Sequence, residues 1–138
     1  MQEAPEDSDR LTGFSSIFYW QGGSGDLTNS GLAYIRGQAA WGKAGVMVSR
    51  MRQLESSRYV GNFFNQTCAA IIPNDESLLP AIMAYCATDE YTNAVHEVDR
   101  RICVANTALT RVPFDADRWA AEAANGKEML YAEGFRVV

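Results

Sequence analysis

Cys68 and His96 are the two residues whose types could combine as a nucleophile and its base, because an imidazole can activate a neighbouring thiol. Helices that brought this pair together with Tyr85 and Tyr91 would form the pocket of a small enzyme or of a ligand-binding domain. A buried thiol and a surface imidazole explain the same residues without any chemistry, and nothing in the local sequence marks either group as activated. We therefore assign no catalytic residue and keep a pocket near Cys68, Tyr85 and His96 as an alternative hypothesis.

The sequence shows no motif for a metal or a cofactor. A single histidine excludes sites that need two, such as two-histidine zinc and non-haem iron sites. The three cysteines form no Cys-x-x-Cys pair. The glycine-rich residues 22–25 lack both the Gly-Lys-Ser/Thr ending of a phosphate-binding loop and the Gly-x-Gly-x-x-Gly pattern of a dinucleotide site. We predict neither a metal nor a cofactor.

Basic residues are concentrated in the middle of the chain, where residues 27–60 hold five basic side chains and one acidic one. Arg36, Lys43 and Arg50 recur at every seventh position, which would place them on one face of a helix. Such a face would bind an acidic protein or nucleic-acid phosphates, or would be solvated and pair with the acid-richer C-terminal half. The net charge of −5 argues against a surface devoted to nucleic acid, which makes nucleic-acid binding the weaker alternative.

An aromatic run precedes this basic segment and ends at the glycine-rich stretch. Phe18, Tyr19 and Trp20 are candidates for partner binding together with Arg36, Lys43 and Arg50, because aromatic side chains dominate the energetics of protein interfaces. The alternative is that these aromatic residues form an edge strand or close one side of the core.

The spacing of apolar residues predicts a mainly α fold, a single compact domain of four to five helices with a short C-terminal β-hairpin. With 138 residues, of which 47% are hydrophobic, the chain fits one domain with its own core. An acidic flexible N-terminal tail is expected over residues 1–12 and the mostly helical domain over residues 13–138. The predicted helices cover about residues 26–54, 56–71, 77–87, 89–110 and 116–124, and the hairpin covers residues 129–138.

Two helix starts have specific local signals. Pro80 falls in the first turn of the helix predicted to begin near Ser77, where a proline is tolerated. Asp115 is typical of an N-cap, and Phe114 and Trp119 on either side of it have the spacing of a hydrophobic staple. These positions anchor the predicted helices in the C-terminal half of the chain.

The cysteines and the N-terminal residues are informative about the cellular compartment of the protein. Cys68 and Cys86 flank a turn at Pro73 and could form a disulfide across two antiparallel helices, although free buried thiols are the commoner state. Residues 2–7 are acidic, lack the apolar core of a signal peptide and look like the start of a mature exported protein. We expect a periplasmic or secreted protein, with a cytoplasmic protein that has an acidic tail as the alternative. No apolar run has the length of a membrane span.

Two stretches resemble the small periplasmic immunity proteins that neutralise type VI secretion amidase effectors. The stretch from Gly31 to Gly37, with Tyr34-Ile35-Arg36-Gly37, is similar to the Tyr-Ile-x-Gly helix of that family. The stretch from Cys68 through Ile72-Pro73 to Tyr85 is similar to its Cys-Ile-Pro turn and the helix that follows. The resemblance implies an exported, mostly helical and often dimeric inhibitor without catalytic residues.

The sequence as a whole favours a non-enzymatic protein-binding module, either an exported immunity or inhibitor protein or an accessory subunit of a larger assembly. Its expected partner is another protein, in a hetero- or homo-oligomer.

Overall fold

A three-stranded antiparallel sheet with helices packed on one face forms the body of the protein. The computed structural model describes residues 1–5, 13–14, 17, 19–31, 34–51 and 53–132, with the backbone alone over residues 127–132. The strands are β1 (Gly45–Ser49), β2 (Ser56–Tyr59) and β3 (Cys68–Ile71), in the spatial order β2-β1-β3. The helices are α1 (Asp26–Asn29), α2 (Leu79–Cys86), α3 (Asp89–Val98) and α4 (Ala116–Ala132). This is an α+β fold, so the predicted mainly α fold is wrong, as is the mostly helical fold that the resemblance implies.

The helix predicted over residues 26–54 is replaced by α1, a 3₁₀ turn at Gln38–Ala40 and the central strand β1. Gly31, Gly37 and Gly42 have φ values of 67°, 76° and 73°, and this left-handed backbone interrupts a helix. The β-branched pair Val46 and Val48 then forms a strand that is buried throughout. Arg36, Lys43 and Arg50 therefore do not lie on one helix face.

The helix predicted over residues 56–71 is also wrong, because this segment contains β2, β3 and the turn between them. Gly61 has a φ of 88°, which ends β2 after Tyr59 and reverses the chain. Of the apolar residues whose spacing of three and four indicated a helix, Val60, Phe63 and Phe64 lie in the connection between the strands, and Cys68 and Ile71 lie on β3.

Helix starts in the C-terminal half are where the local signals predicted them. Pro80 lies in the first turn of α2, which follows a 3₁₀ turn at Glu76–Leu78. The Asp115 carboxylate accepts a hydrogen bond from the Arg118 amide at 3.0 Å, which confirms the predicted N-cap of α4. Both aromatic rings of the predicted staple, Phe114 and Trp119, contact the Tyr85 ring on α2.

Helix ends were predicted less well. The helix that begins at Asp89 ends at Val98 rather than Thr110, because the Asp99 carboxylate accepts hydrogen bonds from the amides of Arg101 and Ala105 and turns the chain. The Arg101 guanidinium beside it, together with those amides, holds the pKa of Asp99 well below its usual range. In α4 the helix continues past Gly126 to Ala132, which overturns a hairpin starting at residue 129; residues 133–138 lie outside the described part.

The two faces of the sheet belong to different apolar clusters. Val46, Val48 and Ala69 face the helices, and the Tyr91 hydroxyl on α3 closes that layer by donating a hydrogen bond to the Leu109 carbonyl at 3.1 Å. The opposite face has a smaller cluster whose buried members are Ala40, Met47, Tyr59 and Cys68.

The first residues of the chain contact this second face. The Gln2 amide donates to the Phe63 carbonyl at 2.6 Å, and the Gln2 side-chain amide donates to the Arg58 carbonyl at 3.0 Å. Residues 6–12, which contain most of the acidic side chains of the expected tail, lie outside the described residues, so the flexible tail stays a prediction there.

Candidate functional site

A groove of about 1150 Å³ runs along β3. Its lining includes the continuous residues 68–74, which comprise β3 and the chain after it. Further lining residues come from the segment between Tyr34 and Ala44 and from Asn106, Leu109 and Thr110. We call this feature the β3 groove. Its volume is slightly above the roughly 300–1,000 Å³ of common small-molecule pockets.

Backbone groups of β3 point into the groove. β3 pairs with β1 on one side, and the sheet order places no strand of the described residues on its other side. The Arg50 amide donates to the Thr67 carbonyl at 2.9 Å, and antiparallel pairs alternate, so Ala69 and Ile71 also face β1. The N–H and C=O groups of Cys68 and Ala70 are therefore directed away from the sheet.

The basic residues singled out by their spacing meet in this groove. Arg36, Lys43 and Arg50 all line it, and Glu76 is the acidic residue of the lining. Turns at Gly37 and Gly42 and the start of the loop after β1 bring them together, rather than a shared helix face. The groove is therefore a concave surface with an excess of positive charge, and it lies beside the strand edge that no described strand covers.

Arg50 differs from the other two because it is part of the scaffold. Its guanidinium donates to the Val104 carbonyl at 2.9 Å and to the Gln66 carbonyl at 3.1 Å. These bonds join the loop after β1 to the segments before β3 and after α3. Arg36 and Lys43 are exposed and leave their charges available to an occupant.

We expect Arg50→Met to lower the free energy of unfolding by about 1.5–3 kcal/mol, because hydrogen bonds to a charged group contribute about that much. Urea denaturation followed by circular dichroism measures the change. Arg36→Met is the matched control, and we expect it to leave the stability unchanged. Equal stability of the two variants would contradict the structural role of Arg50.

The predicted aromatic residues fall in two places. Trp20 belongs to an aromatic cluster with Trp41 and Phe63, in which ring centroids are 4.4 to 5.7 Å apart. Tyr19 is 77% exposed, and Phe18 lies outside the described residues. Trp41 and Phe63 are not among the residues predicted from the sequence. No ring of this aromatic cluster lines the β3 groove, although Ala40 and Phe64, the chain neighbours of Trp41 and Phe63, do.

The groove does not join the residues of the alternative pocket. It includes Cys68 but not Tyr85, Tyr91 or His96. Tyr85 and Tyr91 are buried between the helices, and burial raises the pKa of both hydroxyls. His96 lies on α3, away from the groove lining. The geometry supplies no base for the Cys68 thiol from this set.

The predicted disulfide between Cys68 and Cys86 is not formed, and all three cysteines are free thiols. The sheet separates them, because Cys68 belongs to the cluster on one face and Cys86 to the helical layer on the other. Burial raises the pKa of Cys68 to about 11 and that of Cys86 to about 12, whereas Cys103 is exposed. Neither buried thiol is activated.

We expect iodoacetamide at pH 7.5 to label Cys103 first and Cys68 about 100-fold more slowly than an unperturbed thiol, because a pKa of about 11 instead of 9.0 lowers the thiolate fraction by that factor. Labelling of Cys68 should accelerate about tenfold for each pH unit and level off only near pH 11, because the thiolate fraction follows the pKa. Peptide mass spectrometry measures the rates, and labelling in denaturant is the control in which all three thiols react. Fast labelling of Cys68 in the folded protein would contradict this account and favour the catalytic alternative.

Among the described residues, no three His, Cys, Asp or Glu side chains are grouped to hold a metal ion. None of the helices in the same part of the chain combines the length and apolar character needed to cross a membrane. Comparisons of the chain with protein-family models, with curated proteins and with solved structures find no match.

Proposed function

We propose that this protein is a non-enzymatic protein-binding module that holds an acidic part of a partner protein in the β3 groove. The observation that supports this most is the convergence of Arg36, Lys43 and Arg50 on one concave surface that includes a single acidic residue, Glu76. Complementary charge steers association and selects among partners. A module with net charge −5 that keeps this groove basic has a charge distribution suited to an acidic ligand.

The aromatic cluster supports the same proposal. Trp20, Trp41 and Phe63 are each partly exposed, and their mutual contacts hold the rings in a fixed arrangement. Tryptophan is among the residues enriched at interface hot spots. Because the chain neighbours of Trp41 and Phe63 line the groove, a partner that fills the groove can extend toward this cluster.

The raised pKa of Cys68 favours binding over catalysis. A thiol with a pKa of about 11 is protonated at neutral pH and is a poor nucleophile. The exported inhibitor implied by the resemblance is one form of the proposed module, and an accessory subunit is the other. The two differ in one result, since an inhibitor lowers the activity of an enzyme with which it forms a complex.

Size-exclusion chromatography with each purified protein encoded beside this gene tests the proposal. We expect one of them to co-elute with the wild-type protein. The double variant Arg36→Glu/Lys43→Glu should weaken that complex by about 100-fold, because like charges across an interface cost several kcal/mol. Arg58→Glu/Arg100→Glu changes the net charge equally at exposed positions outside the groove lining and should leave the complex intact.

Two results would contradict the proposal. One is the absence of a stable complex with any of these proteins. The other is a complex that forms equally well with Arg36→Glu/Lys43→Glu, since that result would place the interface elsewhere on the surface.

A further inference from the structure

The edge of β3 indicates how a partner would bind in the β3 groove. The inference that follows rests on the proposed function. We propose that the partner contributes an extended acidic segment that pairs antiparallel with β3 and becomes the fourth strand of the sheet. An edge strand is a ready template for such pairing, in which main-chain hydrogen bonds give affinity and side chains give specificity.

The register of the sheet defines the bonds that the segment would make. Cys68 and Ala70 direct their backbone groups away from β1, as the Arg50–Thr67 hydrogen bond and the β1–β3 pairing establish. Residues of an incoming antiparallel strand that lie opposite Cys68 and Ala70 would exchange N–H···O=C bonds with them. The sheet would then have the order β2-β1-β3-partner.

Small side chains leave room for this strand. Cys68, Ala69 and Ala70 form the first three positions of β3, and none has a side chain that extends over the edge. Cross-strand neighbours have Cβ atoms about 5 Å apart, so small residues on β3 favour larger side chains on the incoming strand. The four residues of β3 span roughly 13 Å at about 3.3 Å per residue, and the groove lining continues beyond them through residues 72–74.

The positive charge of the groove predicts which side chains the partner segment carries at each position. Cys68 and Ala70 pack into the cluster with Ala40 and Phe64, on the side of the sheet where the segment from Tyr34 to Ala44 supplies Arg36 and Lys43. Partner residues opposite Cys68 and Ala70 point to this same side and should be acidic. The alternate residues point toward Leu109 and should be apolar.

A blocked seven-residue peptide that alternates glutamate with valine provides the probe. In antiparallel pairing the glutamate amides face β3 and the valine amides face solvent. We expect ¹⁵N-resolved NMR titration of the full chain at low salt to show binding, with shifts at the Cys68 and Ala70 amides. N-methylation of the glutamate amides should weaken binding at least tenfold, whereas N-methylation of the valine amides should change the dissociation constant less than threefold.

Protein variants separate the contributions of backbone and charge. Arg36→Glu/Lys43→Glu should abolish binding of the unmodified peptide, and Arg58→Glu/Arg100→Glu should retain it. Ala70→Pro removes one outward-facing N–H without removing a bond to β1 and should weaken binding if the variant remains folded. The methylated peptides give the same information with the wild-type protein, so the test does not depend on that variant.

Several outcomes would overturn the proposal. Equal affinity for both methylated peptides, or no binding, would exclude strand addition, and loss caused only by valine methylation would exclude the antiparallel register. Displacement of the peptide by a thymidine heptanucleotide of comparable charge would show recognition of polyanions, and concentration-dependent self-association through β3 would identify a second copy as the occupant. A partner that co-elutes in the complex assay while the methylated peptides bind alike would overturn strand addition and leave the proposed function in place.

Discussion

Gly61→Ala is expected to lower the free energy of unfolding by roughly 2–5 kcal/mol, combining about 1–2 kcal/mol for a left-handed alanine with about 1–3 kcal/mol for a backbone clash. The φ of Gly61 is 88°, and a Cβ atom there would lie 2.7 to 2.9 Å from backbone atoms of Gly42. The Gly42 amide also donates to the Gly61 carbonyl at 2.9 Å, so the two turns are joined directly. Displacing Gly42 would move Lys43, and the variant should therefore also bind the partner more weakly.

Gly31→Ala is the matched control for Gly61→Ala. Gly31 has a φ of 67°, but no described atom lies within 4 Å of the site of its Cβ, so alanine there has only the conformational cost. The difference in urea midpoint between the two variants measures the effect of the close approach of Gly61 to Gly42. Equal destabilisation would show that the contact between the turns contributes nothing.

Trp119→Ala is expected to destabilise the protein by about 3–5 kcal/mol, the usual cost of removing a large aromatic side chain from a core. Trp119 is 6% exposed, and its ring centroid lies 4.9 Å from that of Tyr85. This contact packs α4 on α2. Since small domains are stable by only about 5–15 kcal/mol, this loss is a large share of the total stability.

Phe114→Ala is the comparison for Trp119→Ala. Phe114 also contacts Tyr85, with ring centroids 5.8 Å apart, but it is 37% exposed and leaves a smaller cavity. We expect it to cost about 1 kcal/mol, at the centre of the distribution for single substitutions. Thermal denaturation of both variants measures the two effects, and a larger loss for Phe114→Ala would contradict the packing described for α4.

The C-terminal half of the fold was predictable because its signals are local. An Asp115 carboxylate that caps α4 and a proline in the first turn of α2 act within one helical turn, and both are found as the sequence indicated. Where helices end is less local: α3 stops because the Asp99 side chain bonds amides as far along the chain as Ala105. The residue at which α3 ends therefore depends on the conformation of the residues that follow it.

The sheet was not predictable in the same way. Val46, Met47 and Val48 form a short apolar run, and such runs fit a buried strand and a buried helix equally well. Gly31, Gly37 and Gly42 fall within the helix predicted over residues 26–54, whereas the structure uses their positive φ values to interrupt it. The pairing of β1 with both β2 and β3 is a tertiary arrangement that no local pattern contains.

The spacing of basic residues predicted three residues of the candidate site, but the helix assumed in that prediction is absent from the structure. Arg36, Lys43 and Arg50 do lie together, but turns and a strand bring them into one groove rather than the period of a helix. The open edge of β3 depends on the strand order and had no signal in the sequence. Trp41 and Phe63 were missed because their contact with Trp20 links three separate parts of the chain.

Amide hydrogen exchange in the complex with the co-eluting partner tests the groove most directly. In the free protein the Ala70 amide faces the groove on a half-buried residue and should exchange quickly, whereas the Ala69 amide, which faces β1, should exchange slowly and serves as the internal reference. We predict that exchange at Ala70 slows at least tenfold in the complex. Unchanged exchange at Ala70, with protection elsewhere on the surface, would contradict the claim that the partner occupies the β3 groove.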